Sequence, residues 1–116
     1  MKTDAKFRTI VFYKSYFSDF YKIHTKKVKD KVVWVMRLIE SIDRLPEEYF
    51  KHLSGTKGLY EIRIQQGKNK FRIFCCLESD NRILVFNGFQ KKSQKTPESE
   101  KLKAIKIVHE YEEEKQ

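Results

Sequence analysis

Residues 59–78 read LYEIRIQQGKNKFRIFCCLE, and their alternation decides the fold. Tyr60, Ile62 and Ile64 alternate with Glu61, Arg63 and Gln65, the period of two expected of a strand. Gln66-Gly67-Lys68-Asn69 is a hairpin signal, with Gly67 suited to positive φ. Beyond it Phe71, Ile73, Cys75 and Leu77 alternate with Arg72, Phe74 and Cys76. A two-residue turn at Gly67-Lys68 pairs Gln66 with Asn69, Ile64 with Phe71 and Ile62 with Ile73. On the other face it sets Arg63 directly opposite Arg72. Like charges in that position repel. An internal acid (Glu61 or Glu78) relieves them, or an external phosphate gripped bidentately, or plain solvent on an exposed face.

Downstream, Ser79-Asp80-Asn81 turns the chain into a third strand, residues 82–89, so the three strands form an antiparallel meander. The stretch GFQKKSQKTP, residues 88–97, follows. It packs Lys91, Lys92 and Lys95 between that strand and a last helix. Thr96 suits the N-cap of this helix and Pro97 its first position. Glu98 and Glu100 suit its first turn. Leu102, Ile105, Val108 and Tyr111 make its apolar stripe, and EYEEEKQ, residues 110–116, reads as a frayed, solvated tail.

Upstream, KFRTIVFYK at 6–14 reads as a strand. Ser15 can cap a helix carrying Phe17, Phe20, Tyr21 and Ile23 through about residue 24. Thr25 can cap a second, in which Val28, Val32, Val35, Met36 and Ile39 recur every three or four residues and Trp34 and Leu38 widen the stripe. Leu45-Pro46 closes it. Residues 15–44 thus form a helical hairpin or one kinked helix. Residues 45–58 lack clean periodicity, and Gly55 and Gly58 mark turns. The expected order is β-α-α-β-β-β-α in one domain, residues 1–116. The fold class is α+β, an antiparallel sheet with the two N-terminal helices packed on one face.

The 116 residues are 40% hydrophobic, 14% aromatic and 35% charged, with a formal net charge of +9. That surplus favours anionic partners. Cys75 and Cys76 are adjacent, so in a strand they point to opposite faces and cannot bridge; this suits a reducing, cytoplasmic setting. The N-terminal MKTDAKFR has no apolar h-region, and VVWVM, residues 32–36, is far short of the ~20 residues that span a bilayer. His24, His52 and His109 are scattered, with no metal-ligand spacing and no phosphate-binding glycine loop, so no metal or cofactor is expected. His24 and His109 read as helix-surface residues. His52, in a loop with Lys51 and Lys57, is the histidine best placed for acid–base work. Strand 82–89 brings Phe89 beside Arg72. Arg63, Arg72, Lys91, Lys92 and Lys95 then converge on one surface, with Phe89 and Phe74 as stacking candidates. Cations interleaved with aromatics are a single-stranded nucleic-acid signal.

The runs LSGTKGLYEIRI, KFRIFC and VFNGFQKKSQKTPESE resemble the RelE/ParE toxin superfamily, most closely its HigB-type, phage-related branch. The resemblance covers about residues 7–110. It implies a RelE-like fold and a ribosome-dependent, metal-independent endoribonuclease that cleaves mRNA and inhibits translation. It also implies a helix-turn-helix antitoxin as partner, with ribosome and mRNA as targets and no membrane. Cleavage in that family uses the 2′-hydroxyl and leaves a cyclic phosphate. By motif position Arg63 and Arg72 match family arginines, and Lys91, Lys92 and Lys95 match the basic run before the last helix. Asn87 stands where relatives often carry His or Tyr, which leaves the acid and base unassigned among Lys57, Lys92, Tyr60 and His52. On this reading Arg63, Arg72, Lys92 and Lys57 are catalytic candidates. Lys91, Lys95, Phe89, Tyr60 and His52 are substrate-binding candidates. Two other readings stand beside it: a ParE-like toxin acting on gyrase, and a nucleic-acid-binding or regulatory module without chemistry.

Overall fold

The elements run β1 (Thr9–Phe12), α1 (Tyr16–Tyr21), α2 (Lys26–Ser41), β2 (Phe50–His52), β3 (Leu59–Gln66), β4 (Asn69–Glu78), β5 (Arg82–Lys91) and α3 (Glu98–Lys115) in a computed structural model. It describes residues 6–115. Residues 1–5, the head of the stretch without an h-region, and Gln116, the end of the expected tail, lie outside the described residues.

The β3–β4 hairpin has the register its turn dictates: Gln66 opposite Asn69, Ile64 opposite Phe71, Ile62 opposite Ile73 and Arg63 opposite Arg72. Gly67 turns it at φ +62°. The class is α+β, but the sheet is mixed where an antiparallel one was expected. Its order is β1-β5-β4-β3-β2, and β1 runs parallel to β5. The two helices between β1 and the rest of the chain make this possible, since a parallel neighbour needs a long crossover. The aperiodic segment 45–58 supplies one more short edge strand, β2, antiparallel to β3.

Both faces of the sheet are covered. Under α1 and α2 lie Ile62, Ile64, Phe71, Ile73, Cys75, Ile83 and Val85. α2 meets them with the five residues its periodicity singled out, all buried. Thr25 caps α2, its hydroxyl oxygen accepting from the Val28 N–H at 3.4 Å. Trp34 does not join the buried stripe; it is 50% exposed, with the Lys31 ammonium over its ring. α1 is shorter than expected and ends at Tyr21, which leaves His24 in the turn before α2. Phe20 lies so flat on β5 that a Cβ on Gly88 would come within 2.9 Å of its ring.

α3 covers the opposite face, over Leu59, Phe74, Leu84, Phe86 and Phe89. Its buried residues are Ala104 and Ile107, and Leu102 is 56% exposed. Of the stripe expected from Leu102, Ile105, Val108 and Tyr111, the last three pack half-buried against this core and Leu102 does not, so the most buried line of α3 is shifted by one residue to Ala104 and Ile107. The expected frayed tail is helical through Lys115. Polar contacts hold it: the Tyr13 hydroxyl donates to Glu114 at 2.6 Å, the Tyr16 hydroxyl to Glu110 at 2.7 Å, and the Lys14 ammonium to both acids. Cys75 and Cys76 point to opposite faces as free thiols. No helix among the described residues is long and apolar enough to cross a membrane.

Candidate functional site

Arg63 and Arg72 are cross-strand partners whose side chains diverge. Arg63 is half-buried and leans to the β2 edge, where its Nη1 donates to the Glu47 carbonyl at 3.2 Å and its backbone N–H to the Tyr49 carbonyl at 2.8 Å. Arg72 turns inward and is 4% exposed. Its Nη1 donates to the Phe71 carbonyl at 3.0 Å, and its Nε lies 3.8 Å from Glu61 Oε1. Glu61 is itself 5% exposed. The internal acid is thus Glu61. Glu78 is engaged elsewhere, accepting from the Tyr111 hydroxyl and lying 3.5 Å from Arg82 and from Lys115. Burial, then the charge of Arg63, lowers the Arg72 pKa, and Glu61 opposes them.

A β-bulge brings the lysines in. Ile73 pairs with Gly88 but Cys75 with Val85, so Phe86 and Asn87 together face Phe74. The extra residue switches the parity of β5. Ile83 and Val85 face α2, whereas Phe89 and Lys91 emerge on the α3 face beside Arg72 and Lys70. Lys70 is opposite Lys91 on one side and Gln65 on the other. Burial is the first cause that lowers the Lys91 pKa; the charges of Arg72, Arg63 and Lys70 add to it and Glu61 opposes.

At the hairpin end of the sheet two pockets that share Lys70 make up a basic groove, the smaller reaching round the free edge of β3 to Lys31 of α2. The smaller, about 240 Å³, is lined by Lys31, Arg63, Lys70 and Arg72 with Gln65, Tyr49 and Glu48. The larger, about 630 Å³, is lined by Lys68, Lys70, Lys91 and Lys92 with Asn69, Gln90, Ser93 and Gln94, and by no acid. Such a surface attracts polyanions, and the amides can donate and accept at base edges or phosphates. Lys70 joins both compartments. It was missed in the sequence, although a position two residues from Arg72 shares its face.

The other candidates are scattered. Phe89 and Phe74 stack on each other at 5.5 Å, both buried beneath α3, so neither offers a free ring face. Lys92 lines the larger compartment, and Lys95 is exposed further along the loop. Lys57 is exposed before Leu59, at the opposite end of β3 from Arg63. Tyr60 and His52 are brought together, ring centroids 5.2 Å apart, with Phe50 stacked on Tyr60. Tyr60 packs with the α1–α2 core, so the sheet separates this pair from the arginines. His24 abuts Phe20 and Phe71; burial, then Lys29, lowers its pKa. Asn87, in the bulge, is 3% exposed and both its amide atoms lack protein partners. Among the described residues no three His, Cys, Asp or Glu side chains gather closely enough to hold a metal ion.

Comparison with known proteins adds one finding. The model of the family described as phage-derived protein Gp49-like (DUF891) matches residues 19–109, most of the chain, including every strand from β2 to β5. No curated protein matches.

Proposed function

Because the chain belongs to the Gp49-like phage-derived family, within the RelE/ParE-like toxin–antitoxin superfamily, we propose that it is the toxin of a type II toxin–antitoxin module. In this reading residues 1–116 are one cytoplasmic HigB-type toxin domain. It acts as a ribosome-dependent mRNA endoribonuclease that needs no metal, and a helix-turn-helix antitoxin neutralises it. The observation that carries the reading is the convergence of Arg63, Lys70, Arg72 and Lys91 at the uncovered end of the α3 face.

The chemistry follows from that convergence. The 2′-oxygen attacks phosphorus, the bond to the 5′-oxygen breaks, and a cyclic phosphate remains. Negative charge builds on the non-bridging oxygens, where fixed cations stabilise it most. Arg63 and Lys70 are exposed enough to contact them. Arg72 stands behind as a fixed charge. The 2′-proton needs an acceptor and the 5′-oxygen a donor. Lys91 is the candidate for proton transfer, since it stands opposite Lys70 on the face that carries Arg72, and burial with the charges of Arg72, Arg63 and Lys70 lowers its pKa against the opposing charge of Glu61.

The binding-module reading keeps one specific support: the histidine and tyrosine candidates, His52 and Tyr60, pair with each other away from the groove. Induced expression followed by mapping of mRNA 5′ ends separates the readings. New ends that require translation support the ribonuclease. Intact mRNA with DNA damage points to gyrase, and growth arrest with neither points to binding alone. A short helix-turn-helix reading frame in the adjacent gene supports the antitoxin assignment.

A further inference from the structure

The loop that carries Lys92 and Lys95 is tied to the buried arginine. Thr96, expected to cap α3, does not do so. The first turn is closed by the Pro97 carbonyl, which accepts from Glu100 and Lys101 N–H at 3.1 Å each. The Thr96 hydroxyl instead donates to Glu61 Oε2 at 2.5 Å, while Glu61 Oε1 faces Arg72 Nε at 3.8 Å. One carboxylate thus joins three segments: β3 through Glu61, β4 through Arg72, and the β5–α3 loop through Thr96. A hydroxyl bonded to a buried carboxylate is charge-assisted and stronger than a neutral pair. Glu61 also cannot readily lose either partner, since a buried carboxylate left unpaired is costly.

We infer that Thr96 and Glu61 are positioning residues for the basic groove: the Thr96–Glu61–Arg72 chain latches residues 92–97 over the sheet and sets Lys91 and Lys92 relative to Arg72. This rests on the groove being the working surface. The latch makes the cation set preorganised, so a bound polyanion does not have to order the loop itself. It also explains why a threonine that is a good N-cap residue stands one position too early to cap.

The test compares Thr96→Val, which keeps shape and loses the donor, with Thr96→Ser, which keeps the hydroxyl. Two readouts are taken: amide hydrogen exchange at the α3 end of the loop, where the Glu100 and Lys101 N–H groups donate to the Pro97 carbonyl, and affinity for a fluorescein-labelled single-stranded RNA oligonucleotide. Thr96→Val should speed exchange in the loop roughly tenfold or more, as loss of a hydrogen bond to a charged group implies. It should weaken oligonucleotide affinity roughly three- to tenfold through lost preorganisation. Thr96→Ser should stay near wild type in both. Should Thr96→Val fail to fold, Thr96→Ala carries the test, because it removes the hydroxyl without adding a methyl group; loop exchange should again rise while Thr96→Ser stays near wild type. Unchanged loop exchange in the folded variant overturns the latch. Faster exchange with unchanged affinity overturns its link to the groove. If the wild type binds no oligonucleotide, the link between latch and groove is overturned, the exchange data still decide whether the latch exists, and the ribonuclease reading is judged separately by the translation-dependent mapping of mRNA ends.

Discussion

The two faces of the sheet solve different problems. Beneath α1 and α2 the face is apolar from end to end, Ile62, Ile64, Phe71, Ile73, Ile83 and Val85 being almost without exposure. Beneath α3 it is divided. Leu59, Phe74, Leu84 and Phe86 are apolar and covered, whereas Glu61, Arg63, Lys70, Arg72 and Lys91 occupy the other end. A strand covered on both faces has little room for charge. The molecule therefore holds its shape with one face and half of the other, and leaves the remaining half for binding. The helices follow the same division, since α2 packs through five buried residues and α3 through two, with Ile105, Val108 and Tyr111 half-buried beside them and a set of hydrogen bonds.

The contrast is sharpest at Arg72. Arg72→Met leaves Glu61 buried without its cation and should cost about 3–5 kcal/mol in denaturant unfolding. Arg72→Met with Glu61→Leu should recover most of that loss. A small loss in the single variant would mean that the pair is solvated and that the charged end is ordinary surface.

On the apolar face, Gly88→Ala drives a methyl into the Phe20 ring and should cost about 1–3 kcal/mol. The loss should appear as detachment of α1, with oligonucleotide affinity much less affected than stability. Equal losses in both would mean that the two faces are not separable.

The polar anchoring of α3 makes its attachment pH-dependent. Hydrogen bonds from Tyr16 and Lys14 lower the Glu110 pKa, and bonds from Lys14 and Tyr13 lower that of Glu114. Their contribution is present above the ordinary carboxylate pKa and is lost as pH falls through the lowered folded values. At the alkaline end burial, then Glu114, raises the Tyr13 pKa to about 12, and the Glu78 hydrogen bond, then burial, raises that of Tyr111 to about 12. That contribution is whole below the ordinary phenol pKa of about 10 and is lost as pH rises through about 12. Amide exchange in α3 should therefore quicken at both extremes before exchange in β3–β5 does, and Lys14→Met should weaken the acid response. Simultaneous loss of helix and sheet would put α3 in the main cooperative unit.

Much of this division is legible in the residues. The Gly67-Lys68 turn and the alternation around it specify the pairing of Arg63 with Arg72, and the adjacent cysteines report the two faces. What the residues do not reveal has physical causes. Three residues, Phe50–His52, show no period, so β2 carries no signature. The partner of a short edge strand such as β1 is not written in its own pattern. The bulge at Phe86–Asn87 breaks a period of two that otherwise assigns Phe89 and Lys91 to the wrong face. The burial of Arg72 depends on a loop some twenty residues later folding back to Glu61.

The central claim is that the charged end of the α3 face binds a polyanion. Its most direct test is the salt dependence of single-stranded RNA affinity. Each phosphate contact on a single strand contributes about 0.7 to the slope of log K against log salt. Substituting Arg63, Lys70 and Lys91 together by alanine should lower that slope by about 2, whereas alanine at the exposed Lys27, Lys103 and Lys106 should leave it near wild type. Equal slopes for the two triple variants would contradict the claim, because the binding would then follow total charge and not this groove.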